Sequence, residues 1–342
     1  MRPLRVVEPV AGPALYAALR AAVDGTGPAV LPSDDARTIG ALRPDEGVAD
    51  EVCLVVPTSG STGEPKGVEL TAPCLAASAD ATAARLGGTG RWWLTLPVTH
   101  IAGLQVVLRS GYDPAPEPDG CRFTSLVPTQ LQRMLDDPRL PGLDAVLLGG
   151  AAAPPPLLEA AAARGIRVVT TYGMSETSGG CVYDGRPLDG VTVDVSERIV
   201  LSGPVVARGY RFGECFDGRF VTSDLGALVD GRLTVLGRAD DVINSGGEKI
   251  APLAVEQALA AHPAVLEVAV VGQPDAEWGE RVVAFVVLRS SSPGEASLSL
   301  EEARDWVASR VSRVAAPREL RVLDALPLLP GGKVDRLGLR TS

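Results

Sequence analysis

No apolar run in the chain is long enough to cross a bilayer, and no cluster of lysine and arginine stands out. The first absence removes a helical membrane anchor from consideration. The second, in 342 residues with a formal net charge of −10, removes nucleic acid as an expected partner, because phosphate contacts need concentrated positive surface. Met1-Arg2-Pro3-Leu4-Arg5 carries some positive charge but leads into no apolar core of signal-peptide length, so no export signal is expected. Histidine is scarce, with two residues, and the five cysteines (Cys53, Cys74, Cys121, Cys181, Cys215) are scattered and odd in number. Neither a disulfide framework nor a zinc pattern emerges, and a reducing cytoplasm is the expected setting. Internal repeats are also lacking.

What is present reads as globular: 46% hydrophobic and 22% charged residues, with length enough for one large domain and a smaller one. Pro13–Val23 reads as a helix and 29–31 as a short strand. From Glu51 short apolar strands (91–96, 122–127, 145–148, 166–170) alternate with helices. These are Ile101–Arg109, a helix capped by Thr129 and running to about 135, and 157–164 closed by Gly165. Such alternation implies parallel sheets with helices packed over them. After residue 179 the texture changes to short strands separated by Gly and Asp turns (191–195, 198–201, 219–222, 227–229, 233–235), a β-rich subdomain. A polar junction over 237–241 leads into a small α+β region of about a hundred residues, the size of an independent unit. There Ser299 and Glu302 form a capping-box pattern. The expected fold is therefore α/β: a large N-terminal domain over 1–237 and a small C-terminal domain over 238–342.

The most informative stretch is Thr58-Ser59-Gly60-Ser61-Thr62-Gly63-Glu64-Pro65-Lys66-Gly67, between an apolar strand and a helix-like run after Thr71. Glycines let backbone N–H groups wrap an anion, Ser and Thr hydroxyls add donors, and Lys66 adds charge. The composition suits a polyphosphate, and by itself also a flexible surface loop. It is not a Walker A sequence, since Pro65 and Gly67 flank the lysine.

Other polar clusters sit at strand ends, where open α/β sheets bind ligands. In Tyr172-Gly173-Met174-Ser175-Glu176-Thr177, Tyr172 suits a base and Glu176 suits Mg²⁺. Asp224, after Thr222-Ser223, suits ribose hydroxyls or an ordinary turn. Arg238, Asp240 and Asp241 mark the junction, and Ser245-Gly246-Gly247-Glu248 follows. His100 precedes the helix that ends in Arg109, and Pro330-Gly331-Gly332-Lys333 lies near the C-terminus.

The order and wording of these clusters resemble the adenylate-forming superfamily, which contains acyl-CoA ligases, carrier-protein adenylation domains and luciferases. The resemblance covers nearly everything from Glu51 to Arg340. Within it, His100-Ile101-Ala102-Gly103-Leu104-Gln105 leading to Arg109, Ser125-Leu126-Val127-Pro128-Thr129-Gln130-Leu131 and Gly149-Gly150-Ala151-Ala152 are similar to the branch that joins o-succinylbenzoate to CoA in menaquinone synthesis.

The resemblance implies ATP, Mg²⁺ and CoA as partners and two half-reactions: a carboxylic acid is activated as acyl-AMP with release of pyrophosphate, then transferred to the CoA thiol. It implies that Thr58, Ser59, Gly60, Ser61, Thr62, Gly63 and Lys66 hold the β- and γ-phosphates, and that Thr177 also meets phosphate. Glu176 carries Mg²⁺, while Gly150, Ala151 and Tyr172, with Gly173 and Met174 beside it, flank adenine. Asp224 and Arg238 hold the ribose. Lys333 reaches the α-phosphate and the acid's carboxylate, and His100 gates pantetheine entry. Ser175 lies toward the acid, and Arg109 engages its second carboxylate, a bidentate task that suits a guanidinium. The C-terminal domain is implied to be a mobile lid that rotates about Asp240, alternately presenting Lys333 and the Ser245, Gly246 and Gly247 region on the CoA side. Two departures stand out. Only about fifty residues precede the phosphate loop, and 111–119 is a short Pro-rich connector where relatives carry a further strand and helix. A trimmed sheet there suggests surface that a second copy covers, so a homodimer is a further expectation.

Overall fold

Val52, Cys53, Leu54, Val55 and Val56 are almost wholly excluded from solvent, as a strand must be when both its faces are covered. They open Val52–Ser59, the central strand of a five-stranded sheet in the computed structural model, which describes residues 1–59, 64–289, 297–328 and 334–342. Ala29–Pro32 and then Leu4–Val7 lie parallel on one side. On the other side Pro65–Thr71 pairs antiparallel with the central strand, and Gly209–Tyr210 pairs antiparallel with Pro65–Thr71. The alternation of the strand divides its side chains between two cores, and a bulge between Val52 and Leu54 interrupts it, so Cys53 and Leu54 enter the same one. Val52 and Val55 join Leu4, Leu31 and Leu42, whereas Leu54 and Val56 join Leu15, Leu19, Leu70 and Leu104.

The second sheet has six strands: Trp92–Trp93, Phe123–Leu126, Ala145–Leu148 and Val168–Met174 in parallel, then Gly179–Tyr183 and Arg186–Pro187 added antiparallel. The strand expected over 91–96 shortens to Trp92–Trp93, and the Pro-rich segment explains why. Ala115 accepts from the Leu94 N–H (2.9 Å) and donates to the Trp92 carbonyl (2.8 Å), while the Trp93 indole donates to Pro116 (3.0 Å). The connector thus covers the sheet edge that its shortness was expected to expose.

Thr129 is not a cap. The helix runs Pro128–Met134 with its first proline in place, because proline's fixed φ suits the opening position, and the Gln130 side chain accepts from the Val127 N–H at 3.0 Å. Pro155–Ala163 starts the same way, and Gly165 follows it at φ +73°.

The β-rich part comprises the antiparallel strands Thr192–Val195, Ile199–Ser202 and Arg219–Val221, and a hairpin of Asp224–Val229 with Arg232–Arg238. Both hairpin strands are longer than expected, which moves Gly237 and Arg238 out of the polar junction and into a ladder. Beyond Ala239–Asp241, Gly279–Leu288 pairs along its length with Val265–Asp275, and also with Ser245 at its start and Glu319–Val322 further on. Pro252–Ala260, Leu300–Arg310 with its Ser299–Glu302 capping box, and Arg336–Thr341 complete this part. Among the described residues, no buried apolar cluster mixes side chains from before residue 238 with side chains from after it.

Candidate active site

The stretch over 58–67 is not one loop between a strand and a helix. Thr58 stands opposite Lys66, and Ser59 opposite Pro65, in the ladder of Val52–Ser59 with Pro65–Thr71. The buried run Val68-Glu69-Leu70 extends the strand back through Gly67, where a Cβ would lie 2.8 Å from Val55 Cγ1. The feature is a hairpin with rigid arms. Gly60, Ser61, Thr62, Gly63 and the Ser59 side chain lie outside the described residues. Lys66 is exposed on one arm, its ammonium 5.1 Å from the centre of the Tyr210 ring, within cation–π range.

Tyr210 ties this arm to Glu176. Its hydroxyl donates to Glu176 Oε1 at 2.7 Å. Burial, and then the neighbouring Glu176 carboxylate, push the phenol's pKa up from its ordinary value. Glu176 lies in the single 3₁₀ turn Ser175–Thr177 directly after Val168–Met174, the position in an open sheet where ligands are met. Tyr210 was not foreseen. No local pattern marks it, and only the register of Tyr210 with Val68 brings it beside the hairpin.

The neighbouring residue Thr177 departs from its expected role. It is fully buried, donates to the Gly179 carbonyl at 2.8 Å and accepts from the Met174 N–H at 3.0 Å. Its hydroxyl closes the turn, whereas Ser175 in the same turn is half-buried.

A second tyrosine–carboxylate pair is built by Tyr172 and Asp224, also at 2.7 Å. Burial, and then the Asp224 charge, raise the Tyr172 pKa. Thr222 Oγ1 accepts from the Asp224 N–H at 3.0 Å, so the turn expected at this point is real and presents the carboxylate. Asp224 faces Arg238 across the hairpin, with Arg238 NH1 3.6 Å from Oδ1. Arg238 NH2 also reaches Asp240 Oδ2 at 3.2 Å. Gly173 and Met174 sit half-buried beside Tyr172 at the strand's end. Gly150, at φ +82°, and Ala151 are exposed just past Ala145–Leu148, the parallel neighbour of the Tyr172 strand.

His100 caps the helix Ile101–Arg109 by position and is exposed. The preceding loop is fixed against this helix at Gly103, where a Cβ would fall 2.2 Å from the Pro97 carbonyl oxygen. Two turns on, Arg109 is half-buried, lies over Trp92 (5.5 Å) and donates from NH2 to Ser78 Oγ at 3.5 Å. Its Nε, and Gln105 Oε1 one turn earlier, are buried with no hydrogen-bond partner among the described residues. A donor and an acceptor left open on one helix face form a polar surface suited to a ligand's charged end or a water.

After the hairpin, Ser245 and Glu248 are register partners, so Gly246 (φ +61°) and Gly247 (φ +83°) form the two-residue turn that glycine favours. The Ser245 hydroxyl is buried without a partner among the described residues. Lys333 lies outside the described residues. Three residues on, Arg336 donates from NH2 to Glu256 Oε2 at 2.9 Å and from NH1 to the Val270 carbonyl at 2.9 Å, with NH1 2.7 Å from Oε1. Arg340 reaches Asp241 at 3.3 Å.

The residues fit a magnesium ion bound together with nucleotide. Glu176 offers a hard oxygen, Oε2, that takes no partner among the described residues. No group of three or more His, Cys, Asp or Glu side chains that could hold a metal ion is found among those residues, in keeping with an ion completed by phosphates and water.

Comparison with known proteins agrees with this geometry. The chain matches the AMP-binding enzyme family over residues 13–112 and 117–210, and the AMP-binding enzyme C-terminal domain over 254–333. It is 47% identical to a protein of Mycobacterium tuberculosis H37Rv named a probable 2-succinylbenzoate–CoA ligase, in an alignment covering 99% of this chain and 97% of the relative. It is also similar to o-succinylbenzoate CoA synthetase from Bacillus subtilis in complex with the acyl-adenylate intermediate (TM-score 0.75, 27% identity, 99% of this chain and 83% of that one). The same Bacillus enzyme in complex with ATP and magnesium superposes with TM-score 0.74 at 27% identity, over 98% and 83% of the two chains.

Proposed function

Because the chain belongs to the family of AMP-binding enzymes, we propose that it activates o-succinylbenzoate with ATP and passes the acyl group to CoA. The observation that carries the reading is likeness along almost the whole chain to a ligase named for that acid.

In the first half-reaction a carboxylate oxygen of the acid attacks the α-phosphorus, and the bond to the pyrophosphate oxygen breaks. An anion approaches a polyanion, so the chain must offset charge. Lys66 supplies positive charge beside the phosphate hairpin, and Lys333 supplies it at the α-phosphate. A magnesium ion on Glu176 would neutralise phosphate charge. Asp224 and Arg238 fix the ribose, Tyr172 flanks adenine between Gly150–Ala151 and its own strand, and Ser175 takes the phosphate contact that buried Thr177 does not offer. In the second half-reaction the CoA sulfur attacks the acyl carbon, AMP leaves, and the thiol proton passes to solvent. His100 and the Ser245–Gly247 turn are placed on the CoA side. Arg109, with its open Nε–H, receives the second carboxylate of the acid.

The reading also divides the chain at residue 238, with Asp240 as hinge; the separate cores on either side support this. Five free cysteines suit a reducing cytoplasm, and no helix among the described residues is long and apolar enough to cross a membrane. A homodimer that covers surface left by the trimmed sheet is part of the reading, and sedimentation decides it.

The test is ATP–pyrophosphate exchange with a panel of acids, followed by thioester formation with CoA. Exchange driven by o-succinylbenzoate and lost by at least 100-fold in Lys333→Ala is the expected result. Preference for a monocarboxylate would remove the role of Arg109, and no exchange with any acid would mean a silent nucleotide-binding relative.

A further inference from the structure

We propose that Tyr210 is a positioning residue for the metal-binding carboxylate, coupling the phosphate hairpin to Glu176; this rests on the nucleotide-activating reading above. Three contacts meet at this one side chain. Its hydroxyl donates to Glu176 Oε1 at 2.7 Å, leaving Oε2 open. Its ring receives the Lys66 ammonium at 5.1 Å. Its backbone is laddered to Val68, two residues along the strand from Lys66.

The tyrosine is itself held on every side. Phe216 packs edge-on against its ring at 5.0 Å, and Phe220 lies at 6.5 Å. Its N–H donates to the Glu214 carbonyl at 3.1 Å. The next residue, Arg211, is buried and donates to the carbonyls of Leu42, Arg43 and Gly47, which anchors the strand to the N-terminal segment. The same strand approach grips Glu176 a second time, through the Ala207 N–H on its carbonyl at 2.8 Å.

Glu176 is therefore fixed at both its main chain and one carboxylate oxygen before any ligand arrives. A carboxylate that must meet a cation benefits from such an outer partner, whose loss typically weakens metal binding 10- to 100-fold. The ring contact sets where Lys66 stands relative to that carboxylate. The two opposite charges that receive the nucleotide's phosphates and their metal are thereby spaced by one aromatic side chain, without an ion pair that would cancel them.

The experiment uses the full chain with Mn²⁺ in place of Mg²⁺. Binding of Mn²⁺·ATP is followed by the paramagnetic resonance signal of free Mn²⁺, and binding of AMP without metal by calorimetry. Tyr210→Phe keeps the ring and removes the hydroxyl. The expected result is 10- to 100-fold weaker Mn²⁺·ATP binding with AMP affinity unchanged within about twofold. Glu176→Gln should show the metal loss too, and adding Tyr210→Phe to it should cost nothing more. Unchanged Mn²⁺·ATP binding in Tyr210→Phe, an equal loss for AMP, or additive losses in the double variant would each overturn the assignment. If the wild-type chain binds neither AMP nor Mn²⁺·ATP, the nucleotide-activating reading itself falls and takes this one with it.

Discussion

The chain contains two half-buried tyrosines that each donate to a carboxylate at 2.7 Å with a cation close by, and the two groups differ in where that cation stands. At Tyr172–Asp224 the cation approaches the carboxylate: Oδ2 is taken by the phenol and Oδ1 faces Arg238 at 3.6 Å. At Tyr210–Glu176 it lies over the ring instead, and Oε2 has no partner among the described residues. In the first group Arg238 is shared with Asp240 at 3.2 Å, so its charge is divided between two carboxylates. The second keeps a net negative oxygen available for a metal. The two carboxylates thus share a tyrosine contact and differ in where a cation reaches them, which supports the different roles proposed for them.

Exchanging charge for amide at each site is the strongest way to break this contrast. Glu176→Gln is expected to weaken metal·ATP by on the order of 100-fold while leaving metal-free AMP binding intact. Asp224→Asn is expected to weaken AMP and ATP alike by about tenfold, or about 1.4 kcal/mol, with no change in metal dependence. Calorimetric titrations of both nucleotides with and without Mg²⁺ check the pair. If Asp224→Asn alters metal dependence, the assignment of roles by cation placement is wrong.

A third carboxylate sharpens the comparison because nothing of it is left open. Glu256 accepts from Arg336 at Oε2 and from the Val270 N–H at Oε1 (2.8 Å), and Oε1 also pairs with Arg336 NH1 at 2.7 Å. A saturated pair should contribute to stability and not to nucleotide binding. Arg336→Ala strands a buried carboxylate and is expected to destabilise the C-terminal part by about 2 kcal/mol. That is below the 3–5 kcal/mol typical of a fully buried pair, because the Arg336 side chain is 32% exposed. Chemical denaturation gives the stability, and AMP affinity is expected to stay the same. A large loss of AMP affinity would instead make this pair part of the site.

These contrasts also show what the sequence made legible. Tyr172, Glu176, Asp224 and Arg238 were readable because each lies in a short polar cluster at a strand end, and the strands themselves follow from short apolar runs. That Asp224 faces Arg238 was not readable, since it depends on a hairpin register with a bulge between Leu225 and Gly226. Tyr210 was missed for the same reason: it is brought to Glu176 by pairing with Val68, 142 positions distant in sequence. The surroundings of Thr177 were not readable either, because a residue pattern does not tell a hydroxyl that closes a turn from one that faces a ligand. The 111–119 segment looked like a bare connector because a single bridging residue, Ala115, leaves no strand pattern. Periodicity reveals elements, whereas the site depends on pairings between elements.

The smallest effect expected is spectroscopic, and it tests whether both phenols are held as described. Tyr172 and Tyr210 have pKa values above the ordinary 10.0, chiefly through burial and secondly through their carboxylates. The protonated phenol is favoured in the folded state, so each contributes stability that is complete below pH 10 and is lost as pH rises through the folded value. In the folded protein, absorbance of phenolate near pH 10 should therefore be unchanged by Tyr172→Phe or Tyr210→Phe. In denaturant each variant should lose one of the chain's five tyrosine signals. Asp224→Asn and Glu176→Gln should lower the matching phenol only part of the way toward 10, because burial is the larger cause in both. A Tyr172→Phe variant that removes a phenolate titrating at pH 10 in the folded state would show that the Tyr172–Asp224 bond does not persist in solution, and the likeness between the two groups would go with it.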